Sequence, residues 1–172
     1  VANFLHQAHL PCIYRVHLKP NPEKASTINT MALALHLSYD IMPDEIEPKV
    51  LAQFLSSLEE NEAYPIISMI SLRAMEKAYY DADCLGHFGL ALEEYCHFTS
   101  PIRRYSDLVV HRMLRKYLFE KQDREQVSKD IHAIGQQAEH VSEKEREAIA
   151  IERLVNDYKK AEYMQKNIGR VY

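Results

Sequence analysis

The sequence predicts a mainly α protein with a few short β-strands, an α+β fold class. Apolar residues recur every three or four positions along most of the 172-residue chain, which is the spacing of helices packed on a core. The alternation typical of a strand is confined to short stretches. The hydrophobic fraction of 47% and the charged fraction of 27% are ordinary for a globular domain. This length and composition fit one domain with a sizeable core.

The first half of the chain predicts a helix, a short strand and three further helices. Residues 1–10 have helical spacing, and Pro11 ends that helix because proline has no amide hydrogen. Residues 12–17 alternate large apolar and polar side chains, as a strand does, and Pro20 and Pro22 close it. The three further helices are interpreted as scaffold and predicted over residues 23–38, over 45–58 and from about Pro65 onward.

The second half begins with a stretch that lacks helical spacing. Residues 81–98 contain two of the four glycines and are predicted to be irregular chain with one or two short strands. A helix is then predicted from Pro101 to about Phe119, with Ser100 as its N-cap.

The remainder of the chain is predicted to be helical, in two parts. Ser142 and Glu145 have the spacing of a capping box, so the helix is divided there and the last helix runs over about 143–167. Gly169 lies where a helix terminator is expected. The glutamates at the start of the last helix are predicted to face solvent: Glu143, Glu145 and Glu147.

Charge and cysteine content narrow the class of protein. A net charge of −4 argues against a dedicated nucleic-acid-binding module, although it allows a local basic cluster. The three cysteines are odd in number and have no metal-binding spacing, which favours free thiols in a reducing compartment. No apolar stretch approaches the ~20 residues of a membrane span. We therefore expect a cytoplasmic protein with no membrane contact.

The segment 97–107 carries the groups that predict chemistry. It combines the hydroxyls of Thr99 and Ser100 with the guanidinium groups of Arg103 and Arg104 and the ring of Tyr105. Free amides at a helix start attract anions, arginine binds phosphate oxygens, and an aromatic ring can stack on a base. Phosphate binding is one interpretation. The other is a solvated helix face in which Arg103 pairs with the carboxylate four residues later.

A family resemblance favours the first interpretation. Residues 97–112 read His-Phe-Thr-Ser-Pro-Ile-Arg-Arg-Tyr-Ser-Asp-Leu-Val-Val-His-Arg, which resembles the signature of the RNB-domain exoribonucleases, the family of ribonucleases II and R. Residues 11–17, 85–90 and 152–164 also resemble family segments, in the family's order. The likeness is greatest to the bacterial ribonuclease R branch. It implies that residues 1–172 are the C-terminal half of an RNB catalytic domain, without the N-terminal catalytic half and the flanking cold-shock and S1 domains.

The resemblance also implies an activity, which is processive 3′→5′ hydrolysis of single-stranded RNA to nucleoside 5′-monophosphates. In the family the first arginine after Ser-Pro-Ile, here Arg103, offsets charge on the phosphate in the transition state, and the glutamate matching Glu152 is implicated in activity. The residues expected to contact RNA are Thr99, Ser100, Arg104, Tyr105, Arg15 and His17. Those expected to support them structurally are Asp107, His111 and Arg112.

Several of these residues have a second interpretation that the sequence leaves open. Arg15 and His17 are either RNA-facing or structural partners, and Tyr105 is either a core residue or close to the RNA path. Glu152 is either functional or a surface carboxylate. The spacings of the histidines match no zinc pattern, which favours structural hydrogen bonds for His17, His87, His97 and His111.

The metal is expected elsewhere. The family binds Mg²⁺ through an aspartate cluster in a Gly/Asp-rich segment upstream, and the close pair Asp81 and Asp83 lacks that context. No metal is expected in residues 1–172, and the chain alone is expected to be inactive. Its expected partners are single-stranded RNA and the rest of its catalytic domain, and exposed apolar patches are expected to cause self-association. The alternative is a non-catalytic helical module for RNA binding or assembly.

Overall fold

The computed structural model describes residues 1–38, 46–121 and 123–171, without the side chain of residue 124. The fold is mainly α with one small sheet, which confirms the predicted class. Its elements are α1 (Ala2–Gln7), β1 (Tyr14–Val16), α2 (Pro22–Ala34), α3 (Pro48–Ser57), α4 (Tyr64–Ala74), β2 (Tyr79–Asp81), α5 (Tyr105–Leu114) and α6 (Val127–Gln165). Short 3₁₀ turns lie at Phe88–Leu90 and Arg124–Gln126, and a π turn continues α5 over Arg115–Phe119. Within the described ranges, none of these helices is both long and apolar enough to cross a membrane.

The helices of the first half lie close to where the sequence predicts them. Each of α2, α3 and α4 has a proline in its first turn, where a missing amide hydrogen costs nothing. Of the helix predicted from residue 45, the start falls in 39–45, outside the described residues, and α3 begins at Pro48.

The sheet has two strands and brings distant parts of the chain together. Strand β1 pairs antiparallel with β2, with Tyr14 opposite Asp81 and Val16 opposite Tyr79. Beyond β1, the amide of His17 donates to the carbonyl of Gly86 at 3.1 Å. The irregular segment after β2 is therefore fixed against the end of β1.

Two hydrophobic clusters form the core. One joins α1, the two strands, α5 and the middle of α6, and includes Leu5, Val16, Val110 and Ile134. The other joins α2, α3 and α4 around Ile28. The first cluster supports the segment with the predicted phosphate-binding groups.

The predicted N-cap at Ser100 is wrong. Helix α5 begins at Tyr105, and Pro101 opens a turn in which the Ser100 carbonyl accepts from the amides of Arg103 and Arg104 at 3.2 and 3.0 Å. The Ser100 amide is itself held by the side chain of Asp107 at 2.7 Å. This long-range bond folds the chain into a turn, so both arginines precede the helix. We call residues 100–104 the arginine turn.

The predicted division at Ser142 is also wrong, because α6 is one continuous helix of 39 residues. The Ser142 hydroxyl donates to the carbonyl of Ala138 at 2.8 Å and accepts from the amide of Tyr80 at 2.8 Å. The Ser142 side chain, which the sequence suggested as a cap, therefore makes a contact with β2 instead. After α6, Gly169 adopts a φ of 87°, the left-handed conformation expected of a helix terminator.

The last part of α6 is exposed to solvent. All residues from 146 to 166 are exposed, including a stripe of large apolar side chains at helical spacing. The stripe comprises Ile151, Leu154, Val155 and Tyr158. We call residues 146–165 distal α6.

Candidate nucleic-acid interface

The arginine turn is held in place by one buried carboxylate. The side chain of Asp107 is 0% exposed and accepts from the Ser100 amide at 2.7 Å. Arg104 donates from Nη2 to Oδ2 at 3.1 Å, and its Nε lies 3.0 Å from Oδ1. The hydroxyl of Ser106 completes the set at 3.3 Å. Burial raises the pKa of Asp107, but the Ser100 amide and Arg104 outweigh it, so the net pKa is lowered and the carboxylate stays charged.

The two arginines of the turn have different surroundings. The ion pair suggested by the sequence between Arg103 and Asp107 is wrong, because the partner is Arg104, three residues away. Arg103 is exposed, and within the described chain its side chain makes no hydrogen bond or ion pair. Ile102 beside it is 100% exposed. The turn therefore presents a free guanidinium at its apex.

A cavity of about 770 Å³ opens beside the turn. Arg103 and Tyr105 line one wall, and the middle of α6 forms the other. The polar residues that α6 contributes are Gln136, Gln137, His140, Lys144 and Glu145. A cavity of this size with an arginine and an aromatic ring at its edge can hold a nucleotide unit, with phosphate at the guanidinium and a base against the ring.

Tyr105 lies at the surface rather than in the core. Its ring is 48% exposed, and the Arg112 guanidinium lies 5.8 Å from the ring centre. Arg112 also donates to the Tyr105 hydroxyl at 3.5 Å. Tyr105 also lines the cavity.

The other motif residues have different surroundings. Thr99 is exposed beside the turn, whereas the amide of Ser100 is engaged by Asp107. His111 stacks on the ring of Phe98 at 4.3 Å, and its Nε2 lies 2.9 Å from the Phe98 carbonyl oxygen. This contact joins α5 to the segment that leads into the turn.

Glu152 lies on distal α6 and does not touch the arginine turn. It is seven residues after Glu145 and four after Ala148, both of which line the cavity. Seven residues are nearly two helical turns, so Glu152 lies on the face that continues the cavity wall. Glu152 therefore lies one turn beyond the cavity lining, which ends at Ala148 on this helix.

His17 is held within the chain by both ring nitrogens. Nδ1 accepts from the amide of Gly89 at 2.9 Å, so Nε2 carries the proton that it donates to the Glu76 carbonyl at 2.7 Å. This bonding matches the structural interpretation and leaves neither nitrogen free. An RNA contact of the ring edge stays a prediction.

Arg15 is also engaged within the chain. Its guanidinium donates to Glu145 at 2.6 Å and lies 4.5 Å from the ring centre of Tyr80. The prediction that Glu145 only faces solvent is wrong, because the helix start assumed for it does not exist and α6 packs on the sheet instead.

Tyr80 connects these parts and was missed in the sequence. Its amide binds Ser142, its ring packs under Arg15, and its hydroxyl lies 2.9 Å from Nδ1 of His97. Burial, Arg104 and Arg15 lower the pKa of His97 to about 4, so this imidazole is neutral at pH 7. No local motif marks Tyr80 in the sequence.

The described residues do not fit a catalytic Mg²⁺ site. Across those residues, no group of three or more His, Cys, Asp or Glu side chains is arranged to hold a metal ion. Asp81 uses a carboxylate oxygen to accept from the Asp83 amide at 3.1 Å, an ordinary turn contact.

The sequence profile described as the RNB domain matches residues 1–120. The chain belongs to the RNB family. Ribonuclease R of Aquifex aeolicus is 39% identical over 173 residues, covering 100% of this chain and 24% of the relative. Ribonuclease R of Escherichia coli K12 is 34% identical, covering 99% of this chain and 22% of the relative. The chain spans about a quarter of the length of these RNB relatives.

Solved RNB structures show the same fold. Apo RNase R of Mycoplasma genitalium superposes with a TM-score of 0.90 at 30% identity, covering 98% of this chain and 27% of that one. The same enzyme in complex with ribose-methylated single-stranded RNA gives 0.89 over the same shares. Yeast Ssd1, described as a pseudonuclease, gives 0.68 at 22% identity over 81% of this chain and 17% of that one, which is a likeness of fold alone. The resemblance read from residues 97–112 is confirmed.

Proposed function

We propose that this chain forms the RNA-facing wall of a 3′→5′ exoribonuclease that hydrolyses single-stranded RNA to nucleoside 5′-monophosphates. Three facts support the proposal: membership of the RNB family, relatives named ribonuclease R, and a similar structure solved with single-stranded RNA. The proposal includes a reducing cytoplasmic location, and Cys12, Cys84 and Cys96 are free thiols.

The observation that carries the proposal is the arginine turn. A buried carboxylate, a backbone amide and the guanidinium of Arg104 all serve to hold a turn whose apex, Arg103, stays exposed at a cavity. Fixing a donor in advance is what transition-state stabilisation requires, because no reorganisation is then needed when charge develops on the phosphate. A surface arginine with no role in transition-state stabilisation would not require a turn that is held by a buried carboxylate.

The residues have distinct roles in this proposal. The guanidinium of Arg103 donates to phosphate oxygens, and Tyr105 offers its open ring to a base. Arg104 acts on the turn through Asp107 rather than on RNA directly. Glu152 lies one helical turn beyond Ala148, where the α6 wall of the cavity ends, and Arg103 lines the other wall. Mg²⁺ remains an expectation whose ligands would be supplied outside these 172 residues, and no step is assigned to it.

The test needs a polypeptide of ribonuclease R length that carries this chain, either the natural parent or a chimaera with the Aquifex aeolicus relative. Arg103→Ala is expected to lower turnover on a 3′-extended single-stranded RNA by about a hundredfold or more, with RNA affinity within about threefold. The matched control is Arg73→Ala, an exposed arginine on α4. Equal turnover in the two variants would refute the role of Arg103.

A second candidate, a non-catalytic RNA-binding or assembly module, is suggested by the pseudonuclease that shares the fold. Fold alone therefore does not distinguish enzyme from binder. A binding module predicts that RNA is retained and never shortened, even by the full-length protein with Mg²⁺ present. Release of nucleoside 5′-monophosphates would exclude it.

The isolated chain is expected to be inactive under this proposal. Incubated with Mg²⁺ and a labelled single-stranded oligomer, purified residues 1–172 should release no mononucleotides above the buffer control, because the described residues lack a metal site. Nucleotide release that disappears in the Arg103→Ala chain would show that these residues are sufficient for catalysis, contrary to expectation.

A further inference from the structure

Helix α6 is attached to the rest of the described chain by polar side chains at only three positions. Asp130 bonds the hydroxyl of Tyr117 at 2.6 Å and also pairs with Lys116. Ser142 bonds the Tyr80 amide, and Glu145 pairs with Arg15. The ion pairs farther along α6 are internal to the helix. The Arg15–Glu145 pair is therefore the last polar attachment before distal α6.

This last attachment is built more firmly than a surface ion pair. The side chain of Arg15 is 14% exposed and that of Glu145 is 31% exposed, at an N–O distance of 2.6 Å. Strand pairing fixes the backbone of Arg15, whose amide donates to the Tyr95 carbonyl at 2.9 Å. The ring of Tyr80 supports the guanidinium from below at 4.5 Å. Because the backbone of Arg15 is fixed and its guanidinium is planar, less conformational entropy is lost in holding the contact.

The geometry of the helix connects this attachment to Glu152. Seven residues of α-helix separate Glu145 from Glu152, a rise of about 10.5 Å on nearly the same face. A tilt of roughly 5° at Glu145 would displace Glu152 by about 1 Å, and misplacements of that order can cost about a hundredfold in rate. Of the polar attachments of α6, the Arg15–Glu145 pair is the nearest to Glu152 along the helix.

We propose that Arg15 and Glu145 are a positioning pair that aligns Glu152 with Arg103 across the cavity. The inference rests on the proposed function and goes beyond it, because it assigns a role to Glu145 and replaces RNA contact as the role of Arg15. Neither residue touches the reacting atoms. Each residue affects Glu152 indirectly, by fixing the direction in which α6 extends away from the sheet.

The experiment is a charge exchange in the same ribonuclease R-length polypeptide. Arg15→Glu and Glu145→Arg are each expected to lower kcat by about tenfold, with RNA affinity within about twofold. The double variant restores an ion pair and is expected to recover at least about threefold of that loss. The milder pair Arg15→Lys and Glu145→Gln serves if a reversed charge prevents folding, which thermal unfolding reports.

The matched control exchanges Lys24 and Glu76, an ion pair of 2.7 Å that joins α2 to the segment after α4, away from the cavity. Its single variants should leave kcat unchanged. Arg103→Ala is measured in parallel, so that failure of the proposed function shows as full turnover in that variant.

Three results would overturn the positioning role while Arg103→Ala remains inactive. One is unchanged kcat in folded single variants. Another is a double variant no better than the singles. The third is weaker RNA binding with a smaller salt dependence in Arg15→Glu alone, which would make Arg15 a phosphate contact.

Discussion

Arg103 and Arg104 are adjacent in sequence and opposite in environment. One is exposed at the apex of the turn, and the other is half-buried against a carboxylate with no solvent exposure. The sequence predicted a catalytic role for Arg103 and an RNA contact for Arg104, but it did not reveal that their surroundings differ. Because their surroundings differ, Arg104 is expected to affect stability and Arg103 activity. One substitution at each position can measure this difference.

Arg104→Ala is expected to lower the free energy of unfolding by about 2 to 4 kcal/mol, because it leaves the buried charge of Asp107 without its cation. Arg103→Ala removes no contact and should change it by less than about 0.5 kcal/mol. The chain has no tryptophan, so urea unfolding followed by circular dichroism is the suitable measurement. Equal losses in the two variants would contradict the different roles of the arginines.

His97 makes stability depend on pH. Its pKa is lowered from 6.5 to about 4 in the folded chain. As pH falls through this window the unfolded chain binds a proton that the folded chain does not, so stability is lost between about pH 6.5 and 4. We expect wild type to lose about 1 kcal/mol more than His97→Phe between pH 7 and pH 5, with allowance for solvent screening.

Urea titrations of both proteins at each pH measure this difference. His87, whose pKa is also lowered by burial, contributes to both and cancels. Parallel pH profiles for wild type and variant would mean that His97 takes up its proton normally in the folded chain.

At the level of elements, the helices were predictable and their caps were not. Apolar spacing and first-turn prolines are local properties, so α2, α3 and α4 follow from sequence. Ser100 and Ser142 each match a local capping pattern, but bonds to Asp107 and Tyr80 determine their conformation. Tyr80 is distant from Ser142 in sequence, and Asp107 has the spacing that predicted an ion pair with Arg103 instead.

The residues of the candidate site also divide into those that the sequence could predict and those that it could not. The arginine turn was recognisable because its residues are consecutive, and Glu152 because it belongs to a second recognisable segment. The α6 wall of the cavity and the connecting residue Tyr80 depend on tertiary packing, which no spacing reveals.

Two glycines provide a contrast between elements. A Cβ on Gly89 would lie 2.7 Å from Nδ1 of His17, whose ring is fixed by the Glu76 carbonyl, so Gly89→Ala is expected to cost about 1 to 3 kcal/mol. A Cβ on Gly135 in α6 would meet nothing within 4 Å, and Gly135→Ala should stabilise by about 0.5 to 1 kcal/mol. Thermal unfolding of both variants tests the packing, and destabilisation by Gly135→Ala would contradict it.

For the molecule as a whole, distal α6 is the principal exposed apolar surface described above. Its stripe predicts self-association of the isolated chain, since such surfaces seek partners. Sedimentation equilibrium should show a mass that rises with concentration, and Leu154→Lys with Tyr158→Lys should reduce it. The control is Asn156→Lys, which adds on the opposite side of the helix the same single charge that Leu154→Lys adds alone. A strictly monomeric wild-type chain would contradict the prediction.

The continuity of α6 means that the region matched by the family profile is not a complete folding unit. The family profile ends at residue 120, seven residues before α6 begins. Yet Ile134 and Ala138 lie in the same core cluster as β1, and Ser142 receives an amide of β2. A shortened chain cut at residue 120, where the profile ends, would expose that core and leave a strand amide without its acceptor. The shortest version able to fold should therefore extend at least to Glu145, 25 residues past the end of the family profile.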